Sequence, residues 1–330
     1  MRLRSATVSL LVAATGAQAA AVQVAVPQGA VPKVAVPQVA PTRVARSQVV
    51  QIQGAGTQAA PTAQAPAPAP TGTPVRLAGH RAVYDLGLAE SGGTRSVDSA
   101  RGRIVIDFSG DACKGYAMQT RQVTQLASSE AGDRTSDLRS TTFEAGDGRT
   151  FRFKGATLMN GDASPAVDGS AEATPDGMKV RLKEPKRDAF DAAGEILFPS
   201  RHMRRLIETA RGGGTTLSVK VFDGSDDGRK IYDTLAVIGR PAAAPAAAKP
   251  DRDKPLREGE LASMRRWPVT LSYFTAGEGE RTPIYTLTFD LYENGVSGGL
   301  HLDYGSFAID GTMTRLDLAK PDPKGDACGG

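Results

Sequence analysis

Apolar and polar residues alternate at every second position beyond about residue 80, and no other feature of this 330-residue chain limits its fold as much. Tyr285, Leu287, Phe289 and Leu291 alternate with Thr286, Thr288, Asp290 and Tyr292. A half-buried strand requires that rhythm, because successive side chains leave opposite faces of a pleated backbone. The same pattern runs through Leu217, Val219 and Val221, through Val269, Leu271 and Tyr273, and through Leu300, Leu302 and Tyr304. Turn residues fall where the runs stop: Asp147-Gly148 precedes Phe151-Arg152-Phe153, and Asn294-Gly295 follows Tyr292. Both pairs suit the positive φ of tight hairpins. About a dozen strands are expected, and consecutive hairpins make their pairing mainly antiparallel. So many strands in one all-β domain must coil or close to limit their exposed edges.

One segment breaks the rhythm. Met203, Leu206, Ile207 and Ala210 follow a helical spacing, which predicts a single amphipathic helix over 200–210 with Ser200 as N-cap and Gly212 to Gly214 closing it. A lone helix among strands plugs or covers one face of the sheet, since its apolar stripe has no other partner. Its other face carries Arg201, His202, Arg204, Arg205 and Arg211. Of these, Arg201, Arg204 and Arg205 are candidate contacts for anionic headgroups or glycan phosphates, weighed against an ordinary solvated surface.

The N-terminal region has a different composition. Arg2 and Arg4 precede an uncharged run that leads to Ala17-Gln18-Ala19, so residues 1–19 are expected to be a Sec-type signal peptide cleaved after Ala19. The apolar run is about half the roughly 20 residues that span a bilayer, so the mature protein is expected in the periplasm without a transmembrane segment. Residues 20–76 are rich in Pro, Ala and Gln, and Val24-Ala25-Val26-Pro27-Gln28 recurs as Val34-Ala35-Val36-Pro37-Gln38. Proline at that density removes backbone donors and favours extended conformations, which predicts a disordered, semi-stiff tether. Residues 77–330 are then one domain, with the Pro/Ala-rich stretch 241–254 as an inserted loop.

Charge excludes one class of partner. Residues 1–80 hold six of the forty basic residues and no acidic one, so the body has 34 basic against 36 acidic residues, a net of −2. A near-neutral body with interspersed signs offers no stripe for nucleic-acid phosphates. The two cysteines, Cys113 and Cys328, allow one intramolecular bond in an oxidising compartment, and that bond would fasten the C-terminal tail.

Several apparent motifs lack their context. Gly295-Val296-Ser297-Gly298-Gly299 matches a nucleophile elbow, but a strand follows where the elbow needs a helix. Asp223-Gly224-Ser225-Asp226-Asp227-Gly228 resembles the start of a calcium loop without its terminal glutamate and is expected to be a hairpin turn. His80, His202 and His301 are too scattered for a local zinc site and are expected to be exposed or hydrogen-bonded. Asp290 and Glu293 form a carboxylate pair of the kind that surface turns collect. No catalytic residue, metal site or cofactor is expected.

Taken in order, His80-Arg81-Ala82-Val83-Tyr84-Asp85-Leu86, Gly115-Tyr116 after Cys113, Arg139-Ser140-Thr141-Thr142 and Phe151-Arg152-Phe153 resemble the EipB-type cell-envelope integrity proteins. The C-terminal half is also similar, in Leu197-Phe198-Pro199-Ser200, Tyr232-Asp233-Thr234, Pro283-Ile284-Tyr285, Phe289 through Ser297 and Leu302-Asp303-Tyr304-Gly305. The resemblance covers about residues 79–328. It implies a curved β-spiral or open barrel-like sheet of about 12–14 strands around one helix, a Cys113–Cys328 disulfide and a periplasmic, non-enzymatic role in envelope integrity. The protein is expected to be a monomer that binds a periplasmic protein, lipid or peptidoglycan component. A carrier of lipid or lipoprotein acyl chains is the alternative, and a hydrolase using Ser297 or a carboxylate pair ranks last.

Overall fold

The computed structural model describes residues 74–92, 97–242, 252–275, 277, 279 and 281–320, with the backbone of two short strands, β1 (Val8–Leu11) and β2 (Gln18–Ala21), which pair antiparallel. Contacts divide the chain into residues 25–74 and the remainder. Most of the expected signal peptide and of the expected tether lies outside the described residues, but Val75, at the end of the stretch expected to be a tether, is buried in the main core.

The body is one sixteen-stranded sheet. Its first half is a meander of β3 (His80–Ser91), β4 (Ser99–Asp111), β5 (Gly115–Ala127), β6 (Arg134–Glu144), β7 (Thr150–Met159), β9 (Val167–Thr174), β10 (Gly177–Glu184) and β11 (Asp188–Ala193), with β8 (Asp162–Ala163) pairing back onto β7. The second half runs through β12 (Ile196–Leu197), helix α1 (Pro199–Arg211), β13 (Thr216–Val221), β14 (Tyr232–Ile238), β15 (Arg266–Thr275), β16 (Tyr285–Tyr292), β17 (Ser297–Asp303) and β18 (Phe307–Leu318). All pairs in this sheet are antiparallel except β12 with β13.

The order of strands explains the shape. β18 pairs along β3 from Phe307↔Ser91 to Leu318↔His80, joining the two halves into one path. The two ends of that path, β11 and β12, are separated in the chain only by Gly194 and Glu195. A sheet whose outer strands are consecutive in sequence must curl until they meet, so it nearly closes into a barrel. Sixteen strands exceed the expected number partly because β8 and β12 are two residues each, too short to carry a period, and β11 (DAFDAA) has an irregular pattern with most residues exposed.

The interior is not uniformly apolar. One core joins β3, β4, the second-half strands and α1, and includes Tyr84, Ile104, Leu206, Trp267, Leu287 and Phe289. A second joins β7, β9 and β10 through Phe151, Phe153 and Val180, with Phe198 and Phe222. On β5 the inward positions Thr120, Gln122 and Thr124 are buried and polar, and Gln122 donates to Thr124 Oγ1 at 3.1 Å. The glycine of the Asp147-Gly148 turn has φ 68°, as the sequence requires, and Gly295 has φ 87°.

One expectation changes. The inserted stretch does not stay outside the body at its returning end: Arg252 pairs with Asp310 at 2.9 Å, and Asp253 Oδ1 accepts the Met313 N–H at 2.6 Å. The two 3₁₀ turns that follow, η1 (Lys254–Arg257) and η2 (Gly259–Ala262), bury Leu256 and Leu261 in the main core. Asp223 to Gly228 lie in the hairpin connection of β13 and β14, as expected, with a tight turn in which Gly228 N–H donates to the Ser225 carbonyl at 2.8 Å, while Asp223 and Ser225 are buried.

A candidate binding cleft beside α1

Helix α1 follows β12 directly and packs beside β13 against the main core. Met203, Leu206, Ile207 and Ala210 enter the main core, as their spacing predicts. The sequence predicts Ser200 as N-cap; instead Phe198 holds that position and Pro199 is the first helical residue, where its fixed φ and missing N–H cost nothing. Phe198 has no capping side chain, so the free N–H groups need an acceptor from elsewhere. Glu144, the last residue of β6, supplies it: its carboxylate accepts from Ser200 N at 2.6 Å and from Arg201 N at 2.9 Å. Burial pushes the Glu144 carboxyl up to about 7, against the opposing pull of those two N–H groups and the Arg204 charge. Nothing in the sequence marks Glu144, since strand and helix are 56 residues apart.

Beside the N-terminal half of α1 lies a cleft of about 720 Å³. Arg201, Arg204 and Arg205 on the first turns of α1 line one side, and Arg149 from the β6–β7 turn joins them. Asp147, Glu172 and Glu208 are the acidic residues of the lining. Gly148 makes room for the α1 arginines, as a Cβ there would stand 3.1 Å from Arg201 Cδ. Arg201 and Arg205 share Glu195 Oε1, at 3.6 and 3.1 Å. Arg204 lies over the Tyr116 ring at 5.7 Å and donates weakly to the Gly146 carbonyl at 3.4 Å, while its Nε is buried without an acceptor. The three arginines singled out from the sequence thus come together at one cleft, and Arg149 joins them from a turn that helix periodicity could not reveal.

Other residues of that helix face behave differently. Arg211 turns away to pair with Glu293 at 2.8 Å. His202 is fully buried, with both ring nitrogens unpartnered, and burial alone lowers it to about 3. It is neither exposed nor hydrogen-bonded, because its position turns inward beside Met203. His80 does have a partner, the Ala78 carbonyl at 2.8 Å, and His301 is paired with Asp310 at 2.8 Å.

A family model described as EipB-like matches residues 71–320. The chain belongs to the EipB-like family. It is 36% identical over 245 residues to a protein of Brucella abortus (strain 2308) named cell envelope integrity protein EipB, which spans 74% of this chain and 85% of that one. A crystal structure from Brucella abortus, described as a beta-barrel-like protein of domain of unknown function DUF1849, matches with a TM-score of 0.68 at 35% identity. That match covers 74% of this chain and the whole of the other. Both α1 and the turn that carries Arg149 fall inside the region the family model matches.

The remaining sequence candidates are placed as follows. Ser297, at the start of β17, is completely buried, and its carbonyl accepts from the Tyr84 hydroxyl at 2.7 Å. Asp290 is held by Arg266 at 3.1 Å, and Glu293 by Arg211 and Arg265. Asp223 is buried with one oxygen unpartnered, and burial pushes its carboxyl up to about 7. Cys113 lies in the exposed turn between β4 and β5, its N–H donating to Asp111 Oδ1 at 2.8 Å. Cys328 lies outside the described residues. Among the described residues no helix is long and apolar enough to cross a membrane.

Proposed function

We propose that this protein supports the integrity of the cell envelope from the periplasm, without catalysis, by binding an envelope component or partner protein at the α1 cleft. The observation that carries this reading is the relationship to the Brucella protein named for cell envelope integrity, over 85% of that protein's length. Export is favoured by the charged start, apolar run and Ala17-Gln18-Ala19 of the first nineteen residues. A binding role is favoured because the conspicuous open feature is a polar cleft, while Ser297 is inaccessible and Asp290 and Glu293 are each committed to an arginine.

The test is deletion of the gene followed by detergent and cell-wall-antibiotic challenge. Heightened sensitivity, reversed by the intact gene, is expected; unchanged sensitivity would overturn the proposal. An acyl-chain carrier would need empty apolar space, and beneath α1 that space is occupied by Met203, Leu206 and Ile207 packed into the main core. Native mass spectrometry of the purified protein is therefore expected to show no bound lipid in the interior.

A further inference from the structure

The cleft combines features that select a chemical class of ligand. Four guanidinium groups from two separate elements face it, and an α-helix surface alone would not assemble them. They differ in how well they are satisfied. Arg201 and Arg205 share a single carboxylate, Glu195, whose side chain is 58% exposed and so competes poorly with a better-placed anion. Arg204 is held by the Tyr116 ring and one long contact, with its Nε shielded from water and unpartnered. A shielded donor without an acceptor is uncommon in a folded protein, and here it belongs to one of the four arginines that line the cleft. The N–H groups of the capped helix end are already taken by Glu144, so recognition falls to the guanidinium forks.

A carboxylate is saturated by one or two such forks. A phosphate monoester offers three terminal oxygens and nearly two charges, and arginine forks match its geometry. The lining sets four arginines among Asp147, Glu172 and Glu208, with Glu195 beside Arg201 and Arg205, so the positive charge is concentrated on the guanidinium forks and suits one compact dianion better than an extended polyanion. We propose that the cleft formed by Arg149, Arg201, Arg204 and Arg205 binds a phosphate monoester group, presented by a lipid headgroup or by a soluble phosphorylated molecule. This rests on the cleft being the binding site named above and specifies what it takes.

The experiment uses the mature full chain and three probes: inorganic phosphate, acetate, and vesicles of phosphatidylcholine with or without phosphatidic acid. Calorimetric titration with phosphate is expected to show binding that weakens at least 10-fold in Arg149→Gln/Arg205→Gln, while Arg103→Gln, on the outer face of β4, leaves it unchanged. Circular dichroism melting confirms that each variant is folded; should the double variant fail to fold, Arg149→Gln alone, in an exposed turn, is expected to weaken binding several-fold. Retention on phosphatidic-acid vesicles but not on phosphatidylcholine alone assigns the phosphate to a lipid, and retention on neither, with phosphate still bound, assigns it to a soluble molecule. Acetate binding as tightly as phosphate, equal phosphate binding by the arginine variants, or no phosphate binding would each overturn the proposal. If phosphate does not bind and the folded double variant still fails to restore detergent resistance, this inference falls while the envelope reading stands. If phosphate binds and the double variant restores resistance, the cleft is not the site of the envelope role.

Discussion

Buried ionisable residues shape the protein's response to pH, with the carboxylates Glu144 and Asp223 pulling against the histidines His202 and His80. Glu144 and Asp223 are both raised to about 7 by burial, above the ordinary carboxylate range, so the folded state holds protons that the unfolded chain releases. Their contribution to stability is complete at acid pH and is lost as pH rises through 7. His202 is lowered to about 3, so its contribution is complete above about 6.5 and is lost as pH falls toward 3. Above about pH 6.5 the carboxylates dominate, because His202 and His80, which burial also lowers, are then neutral in both states. Urea midpoints are expected to fall from about pH 6.5 to pH 8, and Glu144→Gln should flatten the fall by removing one of the two protons involved. Parallel slopes for the variant and the parent would show that Glu144 does not titrate there. None of this was visible in the sequence: glutamate at the end of a strand reads as a solvated turn residue, and only the arrival of α1 against it removes the water.

At the scale of elements, α1 divides its work between two faces. Leu206 is fully buried in the main core, so Leu206→Ala should destabilise the protein by about 2–5 kcal/mol through lost burial and an unfilled cavity. Arg205→Gln, which removes a guanidinium paired with the exposed Glu195 carboxylate, should shift stability by less than about 1 kcal/mol. Chemical denaturation of the two variants measures both; equal losses would mean that the helix is not held by its apolar stripe. That stripe was legible from the spacing of Met203, Leu206, Ile207 and Ala210, since a helix must present those positions together. The cap was not legible, because it is made by a strand far away in sequence. The second-half strands were read directly from their alternation, whereas β5 was less clear: its inward Thr120, Gln122 and Thr124 differ too little in polarity from the outward Gln119, Arg121 and Gln125.

The sheet of the body is a curled meander joined through β18 and β3, with β11 and β12 as its outer strands and α1 packed into the main core. Register carries an argument about the cysteines, whose pairing remains a proposal. Leu318 and Phe108 both pair with His80, so the tail after β18 leaves from the rim of the sheet at which β4 turns through Cys113 into β5. A bond from Cys113 to Cys328 would tie that tail across the seam where the chain's two halves meet. In the chain-entropy account so long a loop contributes about 5 kcal/mol at most. Oxidised protein should melt higher than reduced protein, and Cys113→Ser should match the reduced form; identical melting in all three would exclude the clasp. By itself the sequence determined that the body is all-β with one amphipathic helix, because side-chain alternation and helical spacing are local and survive without any partner. Only the tertiary structure decided that Arg149 meets Arg201, Arg204 and Arg205 over a buried Glu144. Those residues lie on a turn, a helix and a strand end that approach one another only when the sheet curls far enough for its outer strands to meet.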